Sequence, residues 1–148
     1  MRSVHRLVPW QRQVLYAAGL VLLASGVAWL AVHYGRRDDA LPSALEPWAM
    51  RLHGLAALAV VFTFGALAAS HIPQGWRWTH RLRWAHQRAS GIALCTLGAA
   101  LVLTGYLLYY FAPDDVRPAL GWLHSVLGTA MAAVVVVHRR RDRNRRSS

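Results

Sequence analysis

Eight histidines are the residues of this chain best suited to chemistry: His5, His33, His53, His71, His80, His86, His124 and His138. Four of them are spaced as pairs. The separation of His53 from His71 is five full helical turns at about 100° per residue, so one helix would present both on one face. His124 and His138 lie 14 apart, about 40° short of four turns. The corresponding rises are roughly 27 and 21 Å. Two such helices running in the same direction would offer an imidazole pair at each end. Paired imidazoles on facing helices are what a haem iron with two axial histidines requires.

The elements that would carry these residues are four apolar blocks, about 14–32, 52–72, 89–112 and 120–137, none containing Arg, Asp or Glu. Each has the length of a bilayer-crossing helix, and backbone polar groups in lipid must be satisfied within the segment. The expected fold is therefore all-α, a four-helix transmembrane bundle forming a single membrane domain over 1–148, with a basic tail at 139–148. A 55% hydrophobic composition argues against disorder, and the single Cys95 excludes a disulfide framework. The first block follows a basic start, but it outruns a signal-peptide core and lacks a clean cleavage site, so it reads as a retained helix.

Orientation comes from charge. The chain has 17 basic residues, all of them Arg, and a net charge of +11. Thirteen arginines lie in the N-terminal arm, the middle loop and the tail, whereas Arg36, Arg37, Arg51 and Arg117 lie on the other side among five acids. The arginine-rich side is cytoplasmic, which puts both termini inside. His53 and His124 then belong to the outer leaflet, and His71 and His138 to the inner. Trp10, Trp48, Trp76, Trp78, Trp84 and Trp122 fall near block ends, as interfacial anchors do. Topology and contact with anionic lipid account for the basic segments, so no nucleic-acid partner is expected.

Small residues flank the outer pair. Ala56 and Ala57 follow His53, Gly128 follows His124, and Gly91, Gly98 and Gly105 form a heptad-spaced stripe in the third block. Room beside a flat macrocycle and close helix packing both explain such residues. The outer site is expected between His53 and His124 and the inner between His71 and His138, with His86 and His33 as alternates. Arg51 and Arg117 outside, and Arg77, Arg81 and Arg139 inside, are candidates to pair with propionates. A divalent metal site and purely structural histidines are the competing readings; no in-span carboxylate or thiolate joins the set. Covalent c-type attachment is excluded because Cys-x-x-Cys-His is absent. No Gly-x-Gly-x-x-Gly or Walker loop is present, and the acids share no plausible site with a serine and a histidine.

Four segments also resemble a known family: Arg51-Leu-His-Gly54, Ser70-His-Ile-Pro-Gln-Gly-Trp76, Leu103-Thr-Gly-Tyr106, and the span from His124 to His138. Over residues 10–141 the chain resembles four-helix dihaem membrane cytochromes b, the group that includes cytochrome b subunits of formate dehydrogenases and nickel–iron hydrogenases and the cytochrome b561-like proteins. The resemblance implies two non-covalent haem b groups, electron transport in a respiratory or other redox complex of a bacterial inner (plasma) membrane, a dehydrogenase or cytochrome as partner, and quinone as a candidate exchange partner. The dehydrogenase-type subunits draw an inner ligand from their first helix. Here the first block has no histidine at that end and His5 lies too early, so His71 is assigned from phase and topology. The chain reads as an electron-transfer subunit rather than a stand-alone enzyme; the alternative is a non-catalytic membrane assembly or scaffold subunit.

Overall fold

A computed structural model describes residues 8–37, 41, 43–73 and 85–144, the side chains of 85–87 and 141–144 excepted. The described residues form four long helices: α1 (Pro9–Gly35), α2 (Leu45–Ala69), α3 (Ala85–Tyr110) and α4 (Arg117–Asn144). Each contains a stretch long and apolar enough to cross a membrane, and the protein is an all-α, four-span membrane protein. The chain divides into two compact units, Met1–Gln74 and Gly75–Ser148. In the first, α1 packs along α2; in the second, α3 packs along α4.

Helix ends follow local chemistry. Pro9 opens α1 at a position whose N–H would have no helical partner, and Gln11 Oε1 accepts the Val8 N–H at 3.3 Å. Ser43 Oγ accepts the Leu45 N–H at 3.2 Å at the start of α2, and Glu46 places negative charge in its first turn. Pro113 follows α3 in the short turn that leads to α4, and its carbonyl accepts the N–H groups of Val116 and Arg117 at 3.1 and 2.9 Å.

The helices overrun the apolar blocks at most ends, because Trp, Gln and Arg flanks are compatible with helix while leaving lipid. At the C-terminus the expected tail from 139 is still helical to Asn144; its arginines are good helix formers. The opposite deviation occurs in α2. Instead of reaching residue 72 it ends at Ala69, with Ser70 at φ −125°, ψ −67° and its N–H turned back to the Leu67 carbonyl at 3.2 Å. Pro73 is the physical cause: a proline ring clashes with the carbonyl four positions earlier, here that of Ala69. His71 sits in a separate helical turn beyond the break.

The interiors of the hairpins are small and polar rather than oily. Buried residues include Ala18, Ala56, Leu67 and Ala112, together with Gln11, Ser25, Thr63, Ser90 and Thr104. The outside is apolar: Leu55, Leu58 and Phe62 on α2 are 68–73% exposed. That distribution is stable only where the surrounding medium is itself apolar, and it matches the small-residue interfaces of membrane helices.

Candidate histidine sites

In each hairpin, an imidazole on the second helix is fastened to a hydroxyl on the first. His53 Nδ1 lies 3.0 Å from Ser25 Oγ. His124 Nδ1 lies 2.8 Å from Thr104 Oγ1, and His138 Nδ1 lies 2.8 Å from Ser90 Oγ. All three hydroxyl residues are buried, and the same ring nitrogen is engaged every time.

Each hydroxyl belongs to a Ser/Thr-Gly dipeptide: Ser25-Gly26, Ser90-Gly91 and Thr104-Gly105. The glycine makes room for the ring at two of them. A Cβ on Gly26 would stand 3.6 Å from His53 Cε1, and one on Gly105 would stand 3.4 Å from His124 Cε1. An alanine would therefore be in van der Waals contact with the imidazole.

The second hairpin carries two such contacts in one antiparallel register. Ser90 and Thr104 on α3 have the same separation as His124 and His138 on α4. That separation is two heptads, and a heptad repeat keeps both ends of each helix facing its partner. The 40° shortfall expected for a straight helix is thereby absorbed, since both imidazoles of α4 meet α3. In the first hairpin the positions two heptads away from Ser25 and His53 are Gln11 and Leu67, both buried. Thus His71 falls one turn past the equivalent position and beyond the break at Ser70, and its phase with His53 is not maintained by a continuous helix.

The remaining sequence candidates sort by place. His33, at the end of α1, is stacked on Trp29 with ring centroids 4.3 Å apart, and its Nδ1 lies 3.0 Å from Glu46 Oε2. Arg36 donates to the other oxygen of Glu46 at 2.7 Å, so this trio ties the α1–α2 connection. Arg51 lies over the Trp48 ring at 4.9 Å, a cation–π contact at the start of α2. Arg117 donates to the Ala112 carbonyl at 2.8 Å and closes the α3–α4 turn. Gly128 faces α3, where an added Cβ would meet Leu101 Cδ2 at 3.9 Å. The side chain of His86 lies outside the described residues, as do His5, His80, Arg77, Arg81, Trp76, Trp78 and Trp84. Among the described residues no group of three or more His, Cys, Asp or Glu is gathered as a metal-holding cluster.

The histidines stand out in the sequence, whereas their hydroxyl partners were missed there. A signal was available: Ser/Thr-Gly occurs at all three contacts, and two of those dipeptides repeat the spacing of His124 and His138. Comparison with known protein families, curated proteins and solved structures gives no match.

Proposed function

We propose that this protein is an integral membrane b-type cytochrome that carries electrons across the bilayer through two bis-histidine haems. In this reading both termini are cytoplasmic, as the arginine distribution indicates, and the two hairpins form one four-helix bundle. His53 and His124 would hold the outer haem, and His71 and His138 the inner. Haem, when bound, supplies a one-electron ferric/ferrous couple.

The observation that carries the proposal is the repeated fastening of Nδ1 on His53, His124 and His138 by a buried hydroxyl. A metal-binding imidazole is characteristically oriented by a hydrogen bond at its other ring nitrogen. The donor set fits haem: three of the four imidazoles stand on the long apolar helices, with glycine beside two of the rings. The chain's own contribution would be to bind, orient and bury the group and to set the spacing along the bilayer. Arg51, Arg117 and Arg139 are the described arginines that would pair with propionates. The resemblance of residues 10–141 to dihaem cytochromes b supports the same reading. It also points to a subunit of a respiratory or redox complex in a bacterial inner membrane, with quinone or a partner redox protein at one end.

A second reading has a specific observation in its favour. The same three contacts join neighbouring helices, and interhelical hydrogen bonds stabilise membrane hairpins by about 0.6 kcal/mol on average. A membrane scaffold subunit could use its histidines in that way. Haem content separates the readings. Purified protein, expressed with ample haem, should give two haems per chain in a pyridine haemochrome assay and a b-type band in reduced-minus-oxidised spectra. A value of zero would overturn the haem reading, and a value of one would retain the outer pair alone.

A further inference from the structure

Two of the hydroxyl groups that face the imidazoles have already committed their hydrogens. Ser25 Oγ lies 2.6 Å from the Val21 carbonyl and 3.2 Å from that of Leu22. Thr104 Oγ1 lies 2.8 Å from the Ala100 carbonyl and 3.3 Å from that of Leu101. A carbonyl oxygen only accepts, and a hydroxyl has one hydrogen. If that hydrogen pointed to the imidazole, two lone-pair oxygens would face each other at these short distances with no proton between them. The hydrogen therefore goes to the carbonyl of the hydroxyl's own helix, and the hydroxyl oxygen accepts from the ring.

We propose that Ser25 and Thr104 are positioning residues that hold His53 and His124 in the Nδ1–H tautomer, which places the ring lone pair on Nε2. The inference deepens the haem reading and rests on it for its purpose, since Nε2 would be the ligating atom. The contacts from which the tautomer follows lie within each hairpin. Serine and threonine are interchangeable in this role, because either supplies one acceptor oxygen after donating to its own helix. The glycine that follows lies against the ring: a Cβ there would be in contact with the imidazole carbon at 3.6 Å for Gly26 and 3.4 Å for Gly105. Ser90 makes the same contact to His138 at 2.8 Å and belongs to the same dipeptide class.

The full-length protein, labelled with ¹⁵N-histidine and reconstituted without haem in lipid nanodiscs, tests this directly. His124→Gln and His53→Gln assign the two rings. Both should show a protonated Nδ1 and a lone pair on Nε2. Thr104→Val, nearly isosteric but without the acceptor, should lower the Nδ1–H to Nε2–H ratio of His124 by roughly fivefold, the equilibrium worth of one net hydrogen bond. Thr104→Ser should restore it, and neither variant should change His53. A second readout uses haem-loaded protein, in which Thr104→Val should shift the midpoint potential and the low-spin resonance spectrum of one haem while Thr104→Ser restores both. A His124 ring that is Nε2–H in the wild-type protein, or indifferent to Thr104→Val, overturns the proposal even if two haems are present. Wild-type protein that shows the tautomers but never takes up haem overturns the functional reading and leaves the tautomer assignment standing.

Discussion

Both hairpins fasten an imidazole of their second helix to a buried hydroxyl of their first, but the α3–α4 hairpin does so at two levels and the α1–α2 hairpin at one. In α3–α4, Thr104 with His124 and Ser90 with His138 share a single register across two heptads. In α1–α2, Ser25 with His53 has its counterpart two heptads away in Gln11 and Leu67, where the chain offers no imidazole. Beyond that point Pro73 ends the helix, and the next histidine belongs to a separate turn. The two hairpins are thus alike around His53 and His124 and unlike around His71 and His138. Each hairpin, taken by itself, holds one imidazole near the start of its second helix, and the α3–α4 hairpin alone holds another further along.

The largest effects should come from the imidazoles themselves. In the haem reading, His124→Ala should remove the outer haem or convert it to a high-spin form, cutting haem content from two to about one per chain while sparing the inner group. His71→Ala should do the reverse. Absorbance and spin-resonance spectra of the purified variants distinguish the two outcomes. The helix break before His71 sharpens this experiment: if His71→Ala keeps both low-spin signals while His86→Ala loses one, the inner ligand comes from the start of α3.

Intermediate effects should come from the turns. The α1–α2 connection is held by Glu46, which bonds both His33 and Arg36; the α3–α4 turn is held by Arg117 on the Ala112 carbonyl. Glu46→Ala loses two partners and Arg117→Ala mainly one, so Glu46→Ala should lower the melting temperature in detergent the more, with each shift limited to a few degrees. Equal shifts would show that the ties contribute alike.

The smallest effects should distinguish two glycines of the second hairpin. Gly128→Ala adds a methyl in ordinary contact with Leu101 and should be neutral or stabilising, by up to about 1 kcal/mol of helix propensity. At Gly105, where the His124 ring is the neighbour, alanine should be tolerated while Gly105→Leu should displace the imidazole. Thermal denaturation combined with the His124 ring resonance measures both. A Gly128→Ala variant that lost His124 order would place that glycine in the site.

The four spans were legible because a bilayer leaves a long, uncharged run in the sequence, which no local choice can hide. Their ends were less so. The stretches 9–13 and 138–144 are helical but mix Trp, Gln, Arg and Asn, so apolar content stops before the backbone does. The end of α2 was readable from Pro73, whose effect falls four positions upstream rather than at the proline itself. The histidine pattern was legible as a period, while its straight-helix phase was not, because the heptad repeat of a packed helix pair replaces the turn of an isolated helix. Ser25, Ser90 and Thr104 escaped notice because a hydroxyl in an apolar helix looks like a tolerated small residue. Its role becomes visible only when the neighbouring helix shows what stands opposite.

The commitment of the Ser25 and Thr104 hydrogens to their own helices bears on the movement of protons as well as on the rings. A proton wire needs each hydroxyl to accept on one side and release on the other. Here the release side is a helix carbonyl, which has no proton to pass on and no means of carrying one away. Charge arriving at His53 or His124 therefore finds no proton exit through these hydroxyls. Each is a dead end for a proton along this path, and its oxygen faces the ring at 2.8–3.0 Å.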